Sequence, residues 1–119
     1  MQEPIKLGKT VLGFTENVVV YGANNSRSLM ARIDTGASKS SIDISLAQEL
    51  GMGPSHGTRN VKSAAGIRER SVIKERIEIA NKDLKVFFTL ADRSHMKYKV
   101  LVGRNILRRG FLIDPEKQS

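Results

Sequence analysis

The chain has 119 residues, 39% hydrophobic and 27% charged, the proportions of a globular domain large enough to bury a core without staples. It has no cysteine, which excludes disulfides, thiolate metal sites and cysteine nucleophiles. The formal net charge is +8, all of it in residues 53–119, where fifteen Lys and Arg outnumber seven Asp and Glu; residues 1–52 carry five of each. Such a field selects acidic partners. Six aromatics supply a stacking platform poorly, so peptide ranks ahead of nucleic acid. No apolar run approaches the roughly 20 residues that span a bilayer. The start, MQEPIKLGKT, lacks the apolar stretch of a secretory signal. A cytoplasmic protein without a membrane partner is expected.

In chain order, Thr10–Phe14 and Val18–Tyr21 read as short strands rich in β-branched residues. The turn signal GANNS, residues 22–26, folds Val18–Tyr21 against Leu29–Ile33 as a hairpin. Asp34-Thr35-Gly36-Ala37 then breaks the strand. Asp43 or Ser45 caps a short helix with Leu46, Ala47 and Leu50 on one face, and Gly51 closes it. GPSHG, residues 53–57, reads as loop. Two β-rich stretches follow, Arg59–Ala64 and Ile67–Ala80, with AAG at 64–66 between them. Ile73, Ile77 and Ile79 alternate in part with Lys74 and Glu78. Residues 81–83 turn the chain into a strand over Leu84–Leu90, and ADRSHMKY, residues 91–98, is a polar loop. Lys99–Val102 is a short apolar strand ended by Gly103. Arg104–Arg109 makes one or two helical turns stopped by Gly110, and Phe111–Ile113 is the last strand. Many short strands with two small helices predict an all-β barrel or sandwich. The whole of 1–119 reads as one domain, with residues 1–9 either flexible or a strand of a dimer sheet.

An Asp at a strand end either starts a turn or holds a carboxylate out for chemistry. Some 65 residues after Asp34, Val100-Leu101-Val102-Gly103-Arg104-Asn105 repeats the theme of apolar strand, glycine and short helix. This pair of motifs resembles the retropepsin-type aspartic proteases, marked by an apolar DTGA loop and a downstream apolar segment ending Gly-Arg-Asn. The stretches ARIDTGASKSS, IRERSVIKERIEI and FFTLADRSHMKYKVLVGRNILRRGFLIDP also look like the retropepsin-like family called ATP-dependent zinc protease. Relatives of that family accompany ligases that add glutamates to proteins.

The resemblance implies an all-β, retropepsin-like closed barrel of a single lobe with one or two short helices, acting as a homodimer. It implies an aspartic endopeptidase in which Asp34 from each subunit activates water. Thr35 would hydrogen-bond across the twofold axis, and Gly36 would let the backbone approach substrate without a Cβ. Ala37 and Ser38 would line the substrate, and a flap around Ala64, Ala65 and Gly66 would close over it. Gly103 would sit beneath the DTG loop and Arg104 would brace it. Arg68, with Arg59, Lys62 and Arg70, forms a basic cluster on the flap that would favour acidic or glutamate-rich peptide. Two positions depart from the retroviral pattern. Ser38 stands where an Asp usually pairs with the Arg of Gly-Arg-Asn, and KSAAGIRER replaces the usual isoleucine- and glycine-rich flap.

The residues call for no cofactor and no metal. There is no HExxH, no P-loop pattern, and the only histidines, His56 and His95, lie 39 positions apart. The alternative function is a non-catalytic dimeric module that holds acidic peptide or RNA.

Overall fold

The computed structural model describes residues 8–64 and 66–118; the expectations for residues 1–7 and for Ala65 lie outside them. Chain order is β1 (Thr10–Leu12), β2 (Thr15–Tyr21), β3 (Ser26–Ile33), β4 (Ser40–Asp43), α1 (Ile44–Leu50), β5 (Ser55–Ser63), β6 (Gly66–Ile79), β7 (Lys82–Ala91), β8 (Val100–Val102), α2 (Arg104–Leu107) and β9 (Phe111–Ile113). In the sheet, β2, β3, β8, β4, β7 and β6 follow one another, and β6 pairs back onto β2. Six strands therefore close a barrel, the closed form that the retropepsin resemblance implies. Its interior holds alternate residues of each strand, among them Val18 and Val20 of β2, Ile77 and Ile79 of β6, and Phe88 of β7. Leu46, Ala47 and Leu50 of α1 join that core on the face expected of them.

Local chemistry explains most boundaries. Asp43 caps α1 by accepting from the Leu46 N–H at 3.3 Å, and Gly51 ends the helix at φ 72°. The β6–β7 turn takes two residues, Ala80 and Asn81, at φ 48° and 67°. Positive φ at both central residues is what a tight hairpin of this twist requires. That turn lies one residue earlier than the sequence suggests, because Asp83 is already paired with Glu78 and Lys82 with Ile79. Part of the expected loop 53–57 belongs to β5, whose pairing with β6 is irregular between Ser55 and Thr58.

One strand is absent from the sequence reading. Ser40–Asp43 lies parallel to β7 and antiparallel to β8, and all four residues are buried. Serine and aspartate are poor strand formers, so the segment reads as a helix approach. The Ser40 and Asp43 side chains are hydrogen-bonded in the interior, and Ser41 lines the Asp34 cleft. Outside the barrel, β1 and β9 form a parallel pair, and β5 with β6 extends as a hairpin.

Candidate active site

Asp34 follows the last residue of β3, where the chain leaves the sheet beside β8. The Asp34 N–H donates to the Val102 carbonyl at 2.9 Å, so the loop starts by borrowing an acceptor from the end of β8. Oδ1 of Asp34 accepts from the Gly36 N–H at 2.9 Å, an Asx-type turn that fixes the carboxylate in a half-buried position. The Ala37 N–H then returns to the Asp34 carbonyl at 3.3 Å.

The Gly-Arg-Asn segment holds this loop from below. The Arg104 N–H donates to the Ala37 carbonyl at 2.8 Å, and Arg104 Nη1 donates to the Thr35 carbonyl at 2.9 Å. Arg104 therefore braces the loop through carbonyl oxygens, which accounts for it without the Asp that Ser38 replaces. A Cβ on Gly103 would collide with the Lys39 carbonyl and stand 2.9 Å from the Ala37 oxygen, so only glycine lets the two segments approach. Beneath them, Ser40 Oγ donates to Asn105 Oδ1 at 2.7 Å and accepts from the Gly103 N–H at 2.9 Å. Asn105 Nδ2 reaches the Phe87 carbonyl at 2.9 Å, and Thr89 Oγ1 the Ser40 carbonyl at 3.3 Å. This small polar network ties β4, β7 and the start of α2 together under the Asp34 loop.

Above the loop lies an open cleft of about 600 Å³ between the DTG segment and the β5–β6 hairpin. Gly36, Ala37 and Ser38 line it, together with Asn60, Val61 and Lys62 of β5. Among its described lining residues the one carboxylate is Asp34, against five cations: Lys39, Lys62, Arg70, Arg93 and Arg104. Of the basic flap cluster, Lys62 and Arg70 face this cleft. Arg59 instead borders a small apolar hollow with Phe87, and Arg68 lines a separate depression with Ile44 and Asp92. Thr35 is exposed at the loop's tip, and Ala64 and Gly66 are exposed at the end of the hairpin.

Two cleft residues, Lys39 and Arg93, carry no signal in the sequence. Arg93 is 8% exposed in a loop that reads only as polar. Burial, together with Arg70 and Arg32 nearby, holds its guanidinium below the usual arginine value, against the pull of Asp43 and Asp34. His56 lies edge-on to Phe87 at 5.8 Å and His95 is exposed in the 91–98 loop. Among the described residues no three His, Cys, Asp or Glu side chains converge, so they provide no donor set for a zinc ion. No helix among them is long and apolar enough to cross a membrane.

A closed six-stranded barrel with an Asp-Thr-Gly loop braced by a Gly-Arg-Asn turn defines the retropepsin-like fold. Solved structures agree on that fold. The EIAV protease complexed with the inhibitor HBY-793 matches with a TM-score of 0.64 and 22% identity, over 79% of this chain and 84% of that one. A protein of unknown function from Legionella pneumophila matches with a TM-score of 0.61 and 18% identity, over 91% and 94%. The foamy viral protease-reverse transcriptase, in complex with an RNA/DNA hybrid, matches with a TM-score of 0.59 and 16% identity, over 87% of this chain and 12% of that longer one. Residues 54–119, more than half of the chain, match the RimB-like family, described as retropepsin-like aspartic endopeptidase RimB. The chain belongs to that family. No curated protein matches it.

Proposed function

We propose that this protein is an aspartic endopeptidase that works as a homodimer and cuts acidic peptide segments. The observation that carries the reading is Asp34, fixed by the Gly36 N–H at the base of an open cleft. Aspartic peptidases need two carboxylates that share one proton, since like charges so close cannot both ionise. One carboxylate takes a proton from water while the other gives one to the carbonyl oxygen. Each chain brings a single Asp-Thr-Gly loop, so a twofold axis must bring the second Asp34 from another copy. Thr35, exposed beside it, would bond across that axis, and the β5–β6 hairpin with Ala64 and Gly66, both exposed, would close over the substrate. Five cations around one carboxylate support acidic substrate, glutamate-rich segments in particular.

The test is peptide cleavage followed by mass spectrometry, wild type against Asp34→Asn, on a mixed library enriched in glutamate tails, with and without chelator. Cleavage that persists in chelator and vanishes in Asp34→Asn is the expected result. Cleavage retained by Asp34→Asn would overturn the assignment. A dimer that binds these peptides and cuts none would replace it with the non-catalytic module.

A further inference from the structure

The loop between β7 and β8 is held by hydrogen bonds, several of them made by Arg93. Asp43 Oδ1 accepts from the Arg93 N–H at 2.8 Å, and Arg93 Nε donates to the Tyr98 carbonyl at 2.9 Å. Lys99 Nζ reaches the Arg93 and Ser94 carbonyls at 2.9 and 2.6 Å, and Asp92 Oδ1 accepts from Ser94 N and Oγ at 3.0 and 2.6 Å. Arg93 as a residue is 8% exposed, yet its Nη1 and Nη2 atoms have no partner among the described residues and open onto the hollows it lines, and it forms no ion pair among those residues. Arginine is rarely buried unless paired. Two further arginines, Arg70 on β6 and Arg32 on β3, act against its charge, and Asp43 and Asp34 act in its favour. Arg93 also borders two hollows at once, the Asp34 cleft and a second of about 310 Å³, and Asp34 and Leu101 line both as well. A guanidinium fixed through Nε to the Tyr98 carbonyl, outside any ion pair among the described residues and open to the cleft beside the candidate catalytic carboxylate, is a cation presented to an incoming anion.

We infer that Arg93, with Arg70 and Arg32 around it, forms a subsite that binds a carboxylate of the substrate next to the scissile bond. The inference rests on the reading of the Asp34 cleft as a peptide site and adds the residue that sets its selectivity. The guanidinium has Nη1 and Nη2 available for a two-pronged grip, the geometry arginine offers a carboxylate. The carboxylate has two possible sources, a glutamate or aspartate side chain or the free C-terminus of a short peptide. The first makes Arg93 a side-chain selector within a chain; the second makes it a gauge of distance from the chain end.

The experiment uses Asp34→Asn protein, so that binding is read without turnover, and labelled peptides followed by fluorescence anisotropy. One peptide carries glutamates and an amidated C-terminus, one carries glutamines and a free C-terminus, and one carries glutamines and an amide. Arg93→Gln in the same background should weaken at least one carboxylate-bearing peptide about tenfold or more and leave the fully neutral peptide unchanged. Which of the two peptides responds identifies the source. Arg70→Gln, on the hairpin and away from the loop's hydrogen bonds, should show the same selectivity with a smaller loss, and it reports even where Arg93→Gln does not fold. Equal losses for all three peptides, or no loss for any, would overturn the subsite. Failure of every peptide to bind Asp34→Asn would instead overturn the peptide-site reading on which it rests.

Discussion

Replacing Asp43 should damage the protein more than the loss of a helix cap would. The side chain is 4% exposed and serves two donors with its two oxygens: Oδ2 accepts from the Leu46 N–H at 3.3 Å and Oδ1 from the Arg93 N–H at 2.8 Å. Removing a cap costs about 1 kcal/mol. Leaving a buried N–H without a partner costs about 1–3 kcal/mol more. Asp43→Ala should therefore destabilise by roughly 2–4 kcal/mol, a large share of the usual 5–15 kcal/mol total. At an ordinary N-cap, Asn equals Asp. Here Asn has one acceptor for two donors and must turn its NH₂ toward the other N–H, so Asp43→Asn should also cost about 1–3 kcal/mol. Urea unfolding measures both: the Ala midpoint should fall by about 1–2 M with an unchanged slope. An Asn variant as stable as wild type, or an Ala variant within about 1 kcal/mol of it, would refute the double-acceptor account of the loop that carries Arg93.

Ser40→Ala leaves the Gly103 N–H without its acceptor and Asn105 Oδ1 without a donor; it should cost about 1–3 kcal/mol in thermal unfolding and lower activity, since both partners support the Asp34 loop. Gly103→Ala should abolish peptide cleavage, because the added Cβ meets the Lys39 and Ala37 carbonyls and must push the loop away from α2; activity at the wild-type level would contradict that contact. The bonds from Ser94, side chain first and then backbone, hold the Asp92 carboxyl below its ordinary value. Its contribution to loop order is thus complete above the ordinary aspartate range and lost as pH falls through the depressed value. Carboxyl NMR should find Asp92 titrating below a normal aspartate, and Ser94→Ala should raise it toward normal. Raising salt from about 0.05 to 0.5 M should slow cleavage of glutamate-rich peptides and leave neutral ones unaffected, since exposed charges are screened within about 10 Å at 0.1 M.

Much of the fold is legible in the sequence because the local signals agree. β-Branched runs, the GANNS turn, the Asp43 cap and Gly51 each act over a few residues, and the structure places strands, turn and helix where they point. Ser40–Asp43 escapes that reading for a physical reason. Its strand character comes from pairing with β7 and β8 and from a buried hydrogen-bond network, neither of which local propensity records. The candidate site divides in the same way. Asp34, Gly103 and Arg104 stand out as two motifs whose spacing is visible along the chain. Arg93 and Lys39 enter the cleft only through tertiary placement, and nothing in ADRSHMKY distinguishes one cation of that loop from the next. Arg68 and Arg70, two residues apart on one face of β6, line one depression together, and Arg70 reaches the Asp34 cleft as well.

The central claim is that one site requires an Asp34 from each of two chains. The most direct measurement adds increasing amounts of Asp34→Asn protein to a fixed, low concentration of wild type, equilibrates the mixture, and follows cleavage of a glutamate-rich peptide. If each site needs two aspartates, the inactive chain captures wild-type partners, and activity falls toward zero as the ratio rises. Activity that stays constant at every ratio, with mixed dimers demonstrated in the same samples, would mean that a single Asp34 suffices, and the proposed chemistry would be wrong.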